Sequence, residues 1–135
     1  MNAKRYQYST KSNDFGDTAI FLKKLYAGKI VSEEASAQMI EIMKKQQVQD
    51  SLPGKLQYLP DSQYNWQLAH KTGWIPGYRH DVGIFYVREQ AFIASIFSKG
   101  IDDFVSSQAF ADIGMEIFNY MTEKQENNVK TGSVN

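Results

Sequence analysis

Two neighbouring segments of the chain, residues 81–87 and 91–97, carry apolar side chains at both odd and even positions. Because successive side chains of a strand point to opposite faces, this pattern predicts strands that are covered above and below. Residues 66–72, just before them, have the mixed polarity that is typical of a strand at a sheet edge. Pro76-Gly77 and residues 88–90 separate the three segments with turn chemistry. The sequence therefore predicts a three-stranded antiparallel meander.

Helical patterns flank this meander in the sequence. A first helix is predicted to be capped by Asn13 or Asp14 and to end before Gly28. A second is predicted to begin after its N-cap Ser32, and a third to run from about Asp102 or Asp103 to Met121. A sheet that is apolar on both faces needs helices on both sides, so we predict an α/β (α+β) fold arranged as a helix–sheet–helix sandwich. The helix side chains expected to face the core are, in chain order, Phe15, Thr18, Ala19, Leu22, Leu25 and Tyr26; Ala35, Met39, Ile42 and Met43; and Phe110, Ile113, Ile117 and Met121.

The chain has 135 residues, which fits one domain. We assign residues 1–12 to an extended lead-in, residues 13–121 to the domain, and residues 122–135 to a flexible polar tail. Residues 46–63 contain two prolines and a glycine and are predicted to form a loop, with a short turn around residues 56–59.

Charge and residue usage narrow the range of partners. Fifteen basic and fifteen acidic side chains give a formal net charge of zero, without the basic stripe of a protein that follows phosphates, so we expect no nucleic-acid partner. The absence of cysteine excludes disulfides, thiol nucleophiles and cysteine metal sites. The basic N-terminus has no apolar run behind it, and no stretch approaches membrane-spanning length, so we expect neither a signal peptide nor membrane insertion. No cofactor is expected.

The outer edge of the third predicted strand, Phe92 to Phe97, would be long, apolar and unpaired. Such an edge offers its backbone N–H and C=O groups to any other strand, which makes it an aggregation hazard if it stays open. We therefore expect it to pair with further strands of a partner chain or with a second copy of this chain.

The other edge of the meander carries the candidate binding residues. An edge strand can pair with the amide of a substrate, and Gly73 would let a ligand approach the backbone closely. Lys71 supplies a positive charge and Thr72 a hydroxyl, a combination suited to a carboxylate. Arg79 lies across a short turn and can reach the same anion, and the Trp74 N–H could donate to a developing oxyanion.

A simpler interpretation of the same residues is an ordinary edge strand with a solvated lysine. The tripeptide alone cannot decide, because it recurs at Lys130-Thr131-Gly132 in the polar tail, where no cleft is expected. Only the surrounding sequence separates the two copies.

That surrounding sequence resembles a known family. His70-Lys71-Thr72-Gly73, followed by residues 76–86, is similar to the third and fourth strands of class A β-lactamases, and more broadly of the penicillin-recognising serine hydrolases, whose Lys-Thr-Gly strand is a hallmark. Residues 19–32 resemble the helix pair that precedes this strand, and the third strand and last helix fit the C-terminal end of the family. The resemblance covers about residues 13–121 and implies a partial β-lactamase/transpeptidase-like fold.

The resemblance also implies roles. Lys71 would bind the substrate carboxylate and tune a proton-shuttling serine, while Thr72 would hydrogen-bond the same carboxylate. The Trp74 amide would form half of the oxyanion hole, and Arg79 would help to hold the carboxylate, although the turn before it is about one residue shorter than in class A enzymes. The substrate would be a β-lactam or a peptidoglycan-like carboxylate, the associated role antibiotic resistance, and the usual location of the family secreted or extracytoplasmic.

The sequence departs from the family where the chemistry should be. The family needs Ser-x-x-Lys, Ser-Asp-Asn and a water-positioning glutamate, yet no serine or threonine here has a lysine three positions on. Ser12-Asn13-Asp14 has the right residue types in the wrong order, and Glu123 and Glu126 follow the Lys-Thr-Gly strand, whereas the family's glutamate precedes it. In the family these elements, and the strand that pairs with the Phe92–Phe97 edge, precede the position of Asn13.

We therefore expect the C-terminal part of a class A-like serine hydrolase that has no complete catalytic set and is inactive alone. The alternative is a non-catalytic binding or interaction module with the same fold.

Three further side chains, those of His70, His80 and Asp81, could meet across the hairpin as in a metal site. Three dispersed ligands are usually structural, so we expect no metal.

Overall fold

The three predicted strands form one antiparallel sheet. The computed structural model of the chain describes residues 14–60 and 65–132. Its strands are β1 (Trp66–Ile75), β2 (Tyr78–Val87) and β3 (Gln90–Lys99), in the order β1-β2-β3. Ile75 pairs with Tyr78 and Val87 with Gln90, so each turn has two residues, and the left-handed φ of Gly77 (79°) and Arg88 (55°) supplies the twist that such turns need. The predicted meander is confirmed.

Helices cover both faces of the sheet. The first two, α1 (Asp14–Tyr26) and α2 (Glu33–Lys44), lie on one face, where Leu22 and Leu25 pack with Ile84. The third, α3 (Asp103–Gly132), lies on the other face, where Phe118 packs with Phe85. Side chains of β2 alternate between these two cores, as the doubly apolar pattern predicted. The α/β (α+β) helix–sheet–helix sandwich is confirmed.

The predicted helix boundaries are confirmed near Gly28 and Ser32. Gly28 takes a φ of 73° just after α1, and the Ser32 hydroxyl accepts a hydrogen bond from the Ala35 N–H at 3.0 Å. A short 3₁₀ helix, Leu56–Tyr58, lies where a turn was predicted. The predicted lead-in (residues 1–12) and the Asn13 cap lie outside the described residues, as do loop residues 61–64.

Two features of the helices correct the sequence prediction. The buried stripes are narrower than expected, and the polar Ser36 of α2 is buried, where its hydroxyl accepts from the Ile30 N–H and donates to the Ile30 carbonyl. The predicted core residues that are instead exposed are Phe15, Tyr26, Ile42 and Ile113. In addition, α3 does not end at Met121. Residues 122–132, predicted as flexible tail, continue the helix, since they contain no proline and no glycine before Gly132.

The loop before the 3₁₀ helix is wedged between the sheet and α3. Ser107 Oγ donates to the Asp50 carbonyl, and the Leu52 N–H donates to Asp81 Oδ2 at 3.1 Å. Gly114 lets the helix touch this loop, because a Cβ at that position would lie 1.9 Å from the Leu52 oxygen. The close approach that this glycine allows is therefore between α3 and the loop, and not between α3 and the sheet. No helix in the described part of the chain is long and apolar enough to cross a membrane.

Candidate functional site

Four of the five predicted binding residues occupy the last part of β1, and Arg79 lies beside them on β2. This strand pairs with β2 on one side, and within the described residues no strand pairs with its other side. Gly73 stands opposite His80, and Trp74 stands opposite Arg79. The outer backbone edge of the Lys71–Trp74 stretch therefore has no strand partner in the part of the chain that the structure describes.

Alternation along the strand divides the candidate side chains between the two faces. Thr72, Gly73, Trp74 and Arg79 all line an open cavity of about 350 Å³ on the α3 side. We call this cavity the Arg79 cavity. Lys71 lines a different, almost wholly apolar groove between the sheet and the first two helices, and its ammonium group donates to the Thr72 carbonyl of its own strand. The structure thus brings four of the five candidates together and places the Lys71 side chain across the strand.

Asp50 is a residue of this cavity that the sequence analysis missed. Arg79 Nη2 donates to Asp50 Oδ1 at 2.8 Å and lies 3.5 Å from the Asp50 carbonyl oxygen. The arginine side chain is 13% exposed and the aspartate 67%. The guanidinium is therefore held in place at the cavity wall, and one of its nitrogens is bound by a carboxylate of the chain itself, which competes there with a ligand carboxylate. No periodicity marked Asp50, which lies in the predicted loop.

Asp50→Asn is expected to raise the affinity of the Arg79 cavity for a small carboxylate by about threefold, since exposed ion pairs contribute up to about 1 kcal/mol. The measurement is an acetate titration followed by the side-chain Nε–H resonance of Arg79. Asp103→Asn is the matched control, because it removes the same charge from the same cavity without breaking a bond to Arg79. If Asp50→Asn lowers the affinity, then Asp50 orients the arginine and does not compete for it.

Behind the binding stretch lies a buried, hydrogen-bonded pair of side chains, His70 and Asp81. His70 Nδ1 is 2.9 Å from Asp81 Oδ1 and 3.1 Å from Oδ2, and the two side chains are 2% and 0% exposed. His80 lies on the opposite face, where its ring packs against Phe97 with centroids 4.2 Å apart. The three residues that could have met as a metal site are therefore split between two faces. Across the described residues, no group of three metal-ligating side chains is present.

An aromatic cavity of about 750 Å³ adjoins the binding stretch on the α1 side. Its walls include Trp74, Tyr78 and Phe97, and the Lys99 ammonium lies 5.8 Å from the centre of the Tyr78 ring. Gly73 lines both this cavity and the Arg79 cavity, and because it has no side chain only the strand backbone separates the two at this position. An apolar group and an anionic group could therefore sit on either side of one edge strand.

Comparison with known proteins gives a consistent result. Residues 3–121 match the model of a beta-lactamase enzyme family. The β-lactamase of Sphaerobacter thermophilus DSM 20745 matches with a TM-score of 0.65 and 25% identity, over 73% of this chain and 36% of that one. PBP-A matches with a TM-score of 0.67 and 21% identity, over 79% of this chain and 39% of that one, and so does the acyl-enzyme complex of a PBP-A variant with penicillin G.

The PBP-A likeness, at 21% identity, shows the fold alone. The chain spans 36% to 39% of the length of these solved structures. A search of the curated proteins finds no match.

Proposed function

Because the chain belongs to the beta-lactamase enzyme family, we propose that it is the substrate-recognition part of a class A-like serine hydrolase. The observation that carries this proposal is the Arg79 cavity, in which Thr72, Gly73, Trp74 and Arg79 converge at an open strand edge. A guanidinium, a hydroxyl and free backbone amides are the groups that recognise a carboxylate next to an amide carbonyl. β-Lactams such as penicillin G carry both.

Each residue has a distinct part in this proposal. Arg79 and Thr72 bind the ligand carboxylate from the α3 face, and Lys71 reaches it over the strand edge after releasing the Thr72 carbonyl. The Trp74 amide donates to the carbonyl oxygen that becomes negative when the ring is attacked. The aromatic cavity, with Tyr78 in its wall, holds an apolar substituent of the ligand.

The proposal assigns binding, and not turnover, to the chain by itself. A serine hydrolase needs a nucleophile with a neighbouring base, and the 135 residues contain no Ser-x-x-Lys. Acyl transfer to a serine would therefore require residues from another polypeptide segment.

The isolated chain is accordingly expected to hydrolyse a chromogenic β-lactam no faster than buffer does. Removing the nucleophile and base of a serine hydrolase costs on the order of 10⁶ in rate. The measurement is the absorbance of the substrate over hours, with Lys71→Ala as the paired variant. Turnover by the unmodified chain that Lys71→Ala abolishes would contradict the proposal, because it would show a complete catalytic site.

We also propose that the outer edge of β3 pairs with the rest of a β-lactamase-like domain or with a second copy of this chain. Within the described residues β3 pairs only with β2, and Phe92 on it is exposed. Light scattering of the purified chain is expected to show a dimer or a larger species. A monomer that unfolds cooperatively would instead favour the alternative function, a stand-alone binding module with this fold.

A further inference from the structure

The buried His70–Asp81 pair adjoins the candidate binding residues in sequence and in the sheet. It lines neither the Arg79 cavity nor the aromatic cavity. A fully buried polar pair is weak evidence for stability, because an apolar pair of similar volume often stabilises a core as well. The role of the pair is better read from the segments that its two side chains hold together.

The pair joins three segments that carry the candidate site. His70 immediately precedes Lys71 on β1, and Asp81 stands opposite Thr72 in the strand register. The second oxygen of Asp81 accepts the Leu52 N–H at 3.1 Å, which fixes the loop that bears Asp50. The Asp81 side chain thus hydrogen-bonds both β1 and the loop, and it belongs to the same strand as Arg79.

Gly83 leaves the space that the imidazole ring of His70 occupies. Gly83 faces His70 across the sheet, and a Cβ at Gly83 would lie 2.7 Å from the His70 Cβ and 2.6 Å from the Ala69 oxygen. Only glycine leaves the space in which the imidazole can lie against β2. The direction of the hydrogen bond also follows: the Asp81 carboxylate only accepts, so the Nδ1–H of His70 donates.

We propose that His70 and Asp81 are positioning residues for the carboxylate site. They hold the end of β1 and the Asp50 loop at fixed places beside Arg79, and so set the distance from Thr72 to the guanidinium. The ligand assignment in this inference rests on the proposed function, whereas the positioning itself is a property of the chain. A displacement of about 1 Å in such a site can cost up to about a hundredfold in productive binding or rate.

The test compares His70→Leu with His70→Asn in the full chain. The asparagine amide nitrogen can take the place of Nδ1 and donate to Asp81, whereas leucine fills the space without a donor. Met121→Ala is the control, because Met121 is a buried core residue of α3 outside the cavities. The readouts are the affinity for penicillin G, the exchange rate of the Leu52 amide, and the downfield Nδ1–H proton resonance of His70 in the unmodified chain.

We expect His70→Leu to weaken penicillin G binding and to speed Leu52 exchange, each by about tenfold or more, and His70→Asn to restore both to within about threefold. Met121→Ala should lower the melting temperature while both readouts stay within that threefold range. Unchanged affinity and exchange in folded His70→Leu would overturn the inference. So would changes in affinity and exchange in Met121→Ala that are as large as those in His70→Leu. If the unmodified chain does not bind penicillin G, the proposed function fails, and the Leu52 exchange rates alone decide the positioning role.

A second variant covers the case in which His70→Leu does not fold. Asp81→Asn keeps the shape of the side chain but replaces one of the two acceptor oxygens with an NH₂ donor, so it weakens the hydrogen bonds to His70 and Leu52 without emptying the site. Faster exchange at Leu52 in this variant, with weaker penicillin G binding, would support the inference. If neither variant folds while His70→Asn does, the pair is needed for the fold itself, and the positioning role is overturned.

Discussion

Gly114→Ala is expected to destabilise the fold by about 3 kcal/mol or more. The added Cβ would lie 1.9 Å from the Leu52 oxygen and 2.9 Å from the Leu52 carbonyl carbon. Both partners of this clash are backbone, so no side-chain rotation can relieve it. Either α3 or the loop must move, and a moving loop also breaks the bond from the Leu52 N–H to Asp81.

Urea unfolding followed by circular dichroism measures this effect of the Gly114 substitution. Gly132→Ala is the matched control, since Gly132 ends the same helix and a Cβ there has no heavy atom within 4 Å. Alanine is the better helix former, so this control should be neutral or slightly stabilising. A free energy of unfolding for Gly114→Ala within about 1 kcal/mol of the unmodified chain would show that the loop does not pack against α3 in this way.

Asp81→Ala is expected to have a comparable effect, a loss of about 2 to 6 kcal/mol in the free energy of unfolding. It leaves the His70 ring and the Leu52 N–H buried without their acceptor, and each unpaired polar group costs about 1 to 3 kcal/mol. The measurement is again equilibrium unfolding, read at two probes so that loosening of the loop can be separated from global unfolding.

Asp112→Ala is the control for the Asp81 substitution. Its carboxylate is also bonded to another side chain, that of Lys55, but Asp112 and Lys55 are 58% and 49% exposed, so the loss should be about 0 to 1 kcal/mol. Similar values for the two substitutions would mean that the Asp81 network is no stronger than a surface ion pair. That result would also remove the basis for its positioning role.

The sheet could be predicted because its signals are local. Apolar side chains at both odd and even positions mark doubly covered strands, and Pro76-Gly77 marks a two-residue turn. The helix faces were harder, because hydrophobicity shows which side chains can be buried but not how wide a stripe the neighbours will cover. Ile42 is apolar and exposed. Ser36 is polar and buried, because its hydroxyl forms hydrogen bonds with the N–H and the carbonyl of Ile30.

The candidate site divides in the same way. Lys71, Thr72 and Arg79 stand out by residue type, and the alternation of a strand already places Lys71 and Thr72 on opposite faces. Asp50 could not be found, because its contact with Arg79 depends on how an irregular loop packs against α3. The same alternation places His80 and Asp81 on opposite faces of β2. His70 is bonded to Asp81, so the two histidines lie on different faces of the sheet and do not share a site.

The central claim is that the Lys71–Trp74 edge recognises a carboxylate beside a carbonyl. It is tested most directly by titrating the ¹⁵N-labelled chain with penicillin G and, separately, with its methyl ester. We expect penicillin G to shift the amide resonances of Thr72, Gly73 and Trp74 and the side-chain resonance of Arg79, and the ester to shift them far less. The second copy, Lys130-Thr131-Gly132, is an internal control on an exposed helix end and should not respond. Equal responses to acid and ester, or shifts at the second copy but not at the first, would contradict the claim.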